Sequence, residues 1–348
     1  MGEAMRESFR FWHRLGKPGA GAVVALALIL GGEALLHSDA FMYRMRSVFA
    51  AGRAFDKVLY VEAKVPNLLV IGNSRVDNGV DPATLAGRIR PGMTAFNLGL
   101  PGANASALFG IATRLDAKGL LGPGRIERVL VGLDEGLLQG GDALGYQVFL
   151  GNRARMLEHG DAAGALRASV RGWGYADNLK QLREPSKLIQ FAHAVVGSVE
   201  PIGGGAAERL GYRPGFAGAN QDAEQVMRQE VGSTSPPDPV VLQDFWAMLE
   251  LLRKRGVDVV VAFPPLLTRA VLYIDAAHPA AGPFHDVRKR LAEMDVPMFA
   301  LESDIRLTAD DFINAGHLND RGAQRFSALL GDALARGDGS RFMRVAAQ

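Results

Sequence analysis

The 348-residue chain has no cysteine, which excludes disulfides, thiolate metal sites and a cysteine nucleophile. Excess charge of either sign is missing too: 39 Lys and Arg against 37 Asp and Glu leave a formal +2. Without a basic stripe interleaved with aromatics, nothing in that balance calls for nucleic acid. There is no internal repeat, and the glycine run at 203–205 lacks the GxxxxGK[ST] context of a phosphate loop. His278, His285 and Asp286 lie near one another, but no HExxH or similar spacing makes them a metal set. No metal and no organic cofactor is therefore expected. Disorder is excluded as well, because 48% hydrophobic and 22% charged residues are the proportions of a chain with a core.

Long apolar runs are scarce, and one stands out. PGAGAVVALALILGGEALL (Pro18 to Leu36) carries a single charge, Glu33, near its far end. About 18–20 such residues at about 1.5 Å each cross a bilayer core. A cleaved signal peptide would have a shorter apolar region and a small-x-small site after it, and LLHSDAF is not one. The expectation is an uncleaved anchor at 18–36 behind a cytoplasmic tail at 1–17. Arg6, Arg10, Arg14 and Lys17 precede the run but Arg44, Arg46 and Arg53 follow it, so the positive-inside count does not decide orientation. The short tail and the lack of a second span favour an inside N-terminus, with the rest of the chain on the outer side. Residues 39–64 mix apolar and basic positions at helical spacing, which reads as a juxtamembrane helix within a linker at 37–66.

Beyond the linker, short continuous apolar runs end one after another in loops: 67–72, 94–100, 128–134, 257–263 and 296–303. Runs of this kind are strands buried on both faces, as in a parallel sheet. Helix-like segments at 81–90, 104–118, 240–255 and 284–294 lie between or after them. Strand then helix, repeated, predicts an α/β fold with right-handed crossovers. The interval from Leu137 to Pro239 breaks the rhythm with Gly-rich pieces and STSPPDP, and reads as a long insertion serving as a lid or partner surface.

Four loops carry polar residues fit for chemistry. The first apolar run stops on Gly72-Asn73-Ser74-Arg75. Gly and Asn suit a plain turn, and Ser74 would serve there as a helix cap. The carboxyl end of a parallel strand is also where open α/β sheets hold their sites, which would make Ser74 a nucleophile. The second loop, FNLGLPGANAS, sets Gly99, Gly102 and Asn104 in a tight turn before a helix. The third, GLDE, puts Asp134 at a strand end. The fourth, DDFINAGHLNDRGAQRFSALL, has His317 just ahead of a helix that Asn319 can cap.

Taken in order, Gly-x-Ser after the first strand, glycine in NLGLPG, the GLDE strand end and HLNDRGA before the last helix resemble the SGNH (GDSL-type) hydrolase superfamily. The resemblance covers residues 67–335 apart from an insertion at about 137–239, leaving 336–348 as a tail. With the N-terminal anchor, it is strongest toward bacterial envelope members encoded with polysaccharide O-acylation machinery. It implies a three-layer α/β/α sandwich, a serine nucleophile at Ser74 and a histidine base at His317. A backbone N–H near Ser74 and one from Gly99 or Gly102 would bind the oxyanion, with Asp134 in the place of the family's third donor. The chemistry is sound on its own terms, since a serine attacks an ester only when a base takes its proton and fixed donors meet the oxyanion.

Three positions depart from the family pattern. Asn73 stands where Asp usually precedes the serine. Asp134 stands where an Asn usually donates to the oxyanion, and an ionised carboxylate donates nothing. Asn314 holds the place of the acid in D-x-x-H, and an amide orients imidazole without stabilising imidazolium. In serine proteases that change costs about four orders of magnitude in rate. Asp310, Asp311 and Asp304 are alternative acids, and Asp275-Ala-Ala-His278 is a D-x-x-H at the wrong place in the chain.

Two functions follow, beside a purely structural envelope role in which the insertion is the interface. One is a membrane-anchored serine acyl-ester enzyme, esterase or O-acyltransferase, acting on an envelope or exported polysaccharide from the periplasmic face of a bacterial inner membrane. The other is a catalytically impaired SGNH-like subunit that binds glycan, or that docks on a multi-span membrane acyltransferase or a polysaccharide export complex.

Overall fold

A strand buried on both faces has to send alternate side chains into two separate cores, and five strands here do so. The computed structural model describes residues 16–45, 48, 50–141, 145–197, 209–215, 236–266, 285–300 and 307–336. In chain order the elements begin with α1 (Gly16–His37), α2 (Asp39–Arg44), α3 (Ala50–Lys64), β1 (Leu68–Gly72), α4 (Ser74–Asp77), α5 (Pro82–Ile89), β2 (Ala95–Gly99), α6 (Ala105–Ala117) and β3 (Arg128–Gly132). Short helices follow: α7 (Tyr146–Leu150), α8 (Arg153–Glu158), α9 (Ala162–Ser169), α10 (Arg171–Leu179) and α11 (Pro185–Val196). The chain then runs through α12 (Pro239–Lys254), β4 (Asp258–Phe263), α13 (His285–Glu293), β5 (Met298–Ala300) and α14 (Asp320–Arg336).

Among the described residues all strands pair in parallel, in the order β2-β1-β3-β4-β5. Leu69, Ile71, Val129, Val131, Val259 and Val261 enter one core with residues of α3, α6 and α12. Leu68, Val70, Leu130, Val260 and Ala262 enter the other, against α5 and α14. The protein is thus an α/β fold on a five-stranded parallel sheet. Capping side chains start the helices where the sequence changes period: Asp81 accepts from Ala83 N–H ahead of Pro82, Asn104 from Ala107 N–H, and Asp238 from Val240 and Val241 N–H ahead of Pro239. Asn319 does the same for α14, accepting from Gly322 N–H at 2.9 Å.

The helix α1 is long and apolar enough to cross a membrane, with a mean hydropathy of 2.0 over Gly19–His37. The juxtamembrane helix expected within 37–66 is there as α3, preceded by the shorter α2. Two helices occupy that stretch, and Met42, Tyr43, Met45, Val48, Phe55, Val58 and Val61 are buried in the core above the sheet. An amphipathic stripe looks the same in sequence whether it lies on lipid or on protein, and here protein covers it. The expected insertion is helical over α7–α11, with residues 209–215 laid along β2, where Asn97 N–H donates to Leu210 O at 2.8 Å.

The order β2-β1-β3 has its switch point between β1 and β3, and the chain reverses course there on glycine. A Cβ on Gly72 or on Gly132 would collide with Val76 Cγ2, and one on Gly99 with the Asp77 backbone. Three neighbouring strands therefore end on residues with no side chain, and α4 sits directly on the space this leaves. Gly132→Ala forces Val76 off this seat and is expected to cost about 1–3 kcal/mol by overpacking. Val76→Ala in the same chain returns part of the loss, so the two changes should fall short of additivity in urea unfolding.

Candidate active site

Ser74 opens α4 immediately beyond β1, with Asn73 as its cap: the Asn73 side chain accepts from Arg75 N–H at 3.0 Å. From the far end of the chain, the loop before α14 brings His317 to it. Ser74 Oγ and His317 Nε2 are 2.9 Å apart, and His317 Nδ1 is 3.0 Å from Asn314 Oδ1. The orientation of that amide is settled by its other contacts, because the same oxygen accepts from Gly316 N–H at 3.1 Å and His317 N–H at 2.8 Å. An oxygen that already takes two backbone donors is the acceptor end, so Nδ1 carries the ring hydrogen and Nε2 is left to receive the serine proton.

The alternative acids are not at this ring. Asp310 is 73% exposed and pairs with Arg321. Asp311 is wholly buried but is spent on Arg321 Nε and Arg325, each at 2.8 Å, and on the cap of its own turn at Thr308. Asn314 alone of the three candidates contacts the imidazole. Asp304, Asp275 and His278 lie outside the described residues, and His285 and Asp286 stand exposed at the start of α13. No group of His, Cys, Asp and Glu among the described residues is disposed to hold a metal ion.

At the oxyanion end the expected donors divide. The Gly99 N–H is taken by the Asn97 side chain at 2.7 Å, and its carbonyl by Lys57 Nζ at 2.7 Å, so Gly99 is a structural residue and not a donor to substrate. Gly102 sits on an exposed turn after β2 with φ +73°, a conformation that costs glycine little. Asp134 reaches the segment of Ser74 through Asn73, whose amide donates to its Oδ1 at 2.6 Å, and it also takes Leu137 N–H at 2.9 Å. Its second oxygen is buried without a hydrogen bond, 3.5 Å from Arg75 Nε. Burial pushes the Asp134 carboxyl above the usual carboxylate range against the pull of the Arg75 guanidinium, and neighbouring Glu135 adds to the push.

Several residues that hold this arrangement carry no motif. Arg75 forks onto the carboxylate of Glu135 and lies against the backbone of Gly316, linking the loops after β1 and β3 to the one that bears His317. Asn97, fully buried in β2, donates to Val76 O and Val80 O, both at 2.7 Å, and so ties down the exit of α4. Beneath it, Asp77 is 1% exposed and receives Lys57 Nζ at 2.7 Å and Arg53 at 2.9 Å, both from α3. Burial pushes the Lys57 ammonium down to about 8, with Asp77 pulling the other way. The available signals were an amide in the middle of an apolar strand, and a lysine on the apolar face of an amphipathic helix.

Compared with known proteins, the chain matches no family model and no curated protein.

Asp134→Asn tests the electrostatic account of the third loop. Because the folded state holds the Asp134 proton to higher pH than the unfolded chain, this group's contribution to stability falls as pH rises above the ordinary 3.8. The amide carries no such penalty. The variant should melt above wild type at pH 7, and the difference should shrink toward pH 4.

Proposed function

We propose that the chain is a membrane-anchored, SGNH-like serine acyl-ester enzyme, an esterase or O-acyltransferase working on an envelope or exported polysaccharide. The observation that carries this reading is the Ser74 Oγ to His317 Nε2 contact of 2.9 Å, with Asn314 completing the relay. The two cores on opposite faces of the sheet agree with a three-layer α/β/α sandwich of SGNH type. With α1 in the bacterial inner membrane, the domain faces the periplasm, where such glycans pass.

In this mechanism Ser74 Oγ attacks the ester carbonyl as its proton passes to His317 Nε2, while Nδ1–H stays on Asn314 Oδ1. The Ser74 N–H and the turn at Gly102 meet the oxyanion. The alcohol leaves with the proton from Nε2, and the acyl group remains on Ser74. Water or a sugar hydroxyl then gives its proton to Nε2 and attacks the acyl-serine, and Nε2 passes that proton to the departing Ser74 Oγ, which restores the enzyme. Asn314 holds the tautomer but brings no charge to the imidazolium, so turnover is slower than a carboxylate would allow.

A second reading, the catalytically impaired subunit that docks on a membrane acyltransferase or export complex, is favoured by Asp134 and by the engaged Gly99 N–H. Labelling separates the two. A fluorophosphonate should modify Ser74 in the full chain, and Ser74→Ala should abolish the label without lowering the melting temperature. Asn314→Asp keeps all three N–H donors satisfied and should raise ester turnover about 10–100-fold, less than the factor lost when a protease histidine takes the wrong tautomer. Absence of labelling in wild type, with Ser74→Ala still complementing a deletion, would establish the docking subunit instead. For orientation, a reporter fused after Gln348 should be active only on the outer side of the membrane.

A further inference from the structure

Glu33 is the one acidic residue in α1, and its carboxylate is occupied. It receives Arg171 N–H and, at 3.0 Å, Gly172 N–H, the first amides of α10. His37 Nε2, one turn on, lies 3.0 Å from Ser169 O at the end of α9. Next along the chain, Arg44 of α2 donates to Ala194 O at 2.6 Å and Gly197 O at 2.9 Å, closing the last turn of α11. Phe41 meets Tyr175 of α10 edge-on, with ring centroids 5.4 Å apart. These contacts fix α9, α10 and α11 around the carboxyl end of α1.

The outer faces of these helices expose large apolar side chains among polar ones. On α11, Lys187, Phe191 and Ala194 are half-buried, while Leu188, Ile189, Ala192, Val195 and Val196 are exposed together with Ser186, Gln190 and His193. Ile189 is 60% and Val196 82% exposed. Five large or small apolar side chains left uncovered on one twelve-residue helix are more than a face turned only to water needs. Trp173, two residues past the start of α10, is 52% exposed, and Leu166 of α9 is exposed beside Arg167.

The geometry points to a lipid surface as the occupant: α9–α11 lie in the headgroup zone of the bilayer that α1 spans, with Trp173, Leu188, Ile189 and Val196 among the acyl chains. The proposal rests on α1 being a membrane span. A carboxylate at mid-bilayer is costly, so Glu33 marks the boundary of the hydrocarbon, and the first turn of α10 is bonded to it at that depth. Trp at that level is the residue that membrane interfaces favour. Residues 153–187 hold seven basic side chains against four acidic ones, which suits anionic headgroups.

The lack of cysteine makes the test direct. Single-cysteine chains Ile29→Cys (α1), Ile189→Cys (α11) and Asp332→Cys (α14, far from these helices) are purified at full length. Each is reconstituted alone into vesicles of phosphatidylcholine and phosphatidylglycerol permeabilised so that a charged maleimide reaches both sides. Protection of Ile29→Cys and Ile189→Cys, each reacting about tenfold or more slowly than Asp332→Cys, is the expected result for side chains in lipid. With no other protein present, such protection comes from the bilayer. If Ile189→Cys reacts as fast as Asp332→Cys while Ile29→Cys stays protected, the span stands and the lipid-facing surface falls, leaving a protein partner to cover it. If Ile29→Cys reacts freely, the anchor and this proposal fall together. Trp173 gives a check free of cysteine: brominated lipid should quench wild type more than Trp173→Phe, and equal quenching would overturn the assignment.

Discussion

Close approach of α4 to the ends of three strands is the constraint on which the site depends. Gly72, Gly99 and Gly132 stand side by side at the carboxyl edge of β1, β2 and β3, and each is bare where a methyl group would meet α4. Only so can the chain turn directly from β1 into a helix and leave Ser74 at the rim of the sheet. The same closeness lets Asn97 reach two carbonyls of the segment from within β2. A well-packed floor of this kind tolerates little change in volume, and the position of the serine is held by packing before any polar contact is counted.

A second layer of restraint is electrostatic and comes from outside the sheet. Asp77 closes α4 and would be an unpaired buried charge but for Lys57 and Arg53. Removing one partner of a buried pair is costly, whereas the pair itself adds little net stability, so its value here is one of registration. It fastens α3 to the helix that begins with Ser74. Arg75 and Glu135 do the corresponding work on the other side, against the loop of His317.

Much of this was legible in the residues. The strand runs, the glycine that ends each of the first three, the Asp, Asn and Pro that start the helices, and the order of the loops bearing Ser74, Asp134 and His317 follow from local rules. Asn314 is pointed to by the resemblance, which puts the partner of the histidine three residues ahead of His317, a separation one loop can satisfy. What was not legible depends on contacts between distant segments. Nothing near Gly99 in sequence shows that Asn97 takes its N–H, since that follows from the fold of one strand beneath α4. Asp310 and Asp311 sat as close to His317 in sequence as a partner needs, but two arginines of α14 claimed them. The stretch after α1 has an amphipathic pattern compatible with either lipid or core, and only the packing of Phe55, Val58 and Val61 decides it.

That packing removes the slack between anchor and domain. A flexible tether lets a tethered enzyme sweep a hemisphere whose radius grows with linker length, and sets the effective concentration of whatever it meets. Here two short helices, built into the core, replace the tether, and Lys57 and Arg53 run from the second of them to the residue that closes α4. With α1 in a bilayer, the serine is held at one height and one tilt. A pair so placed does not sweep the space above the membrane, and whatever meets Ser74 and His317 has to reach them at that one level.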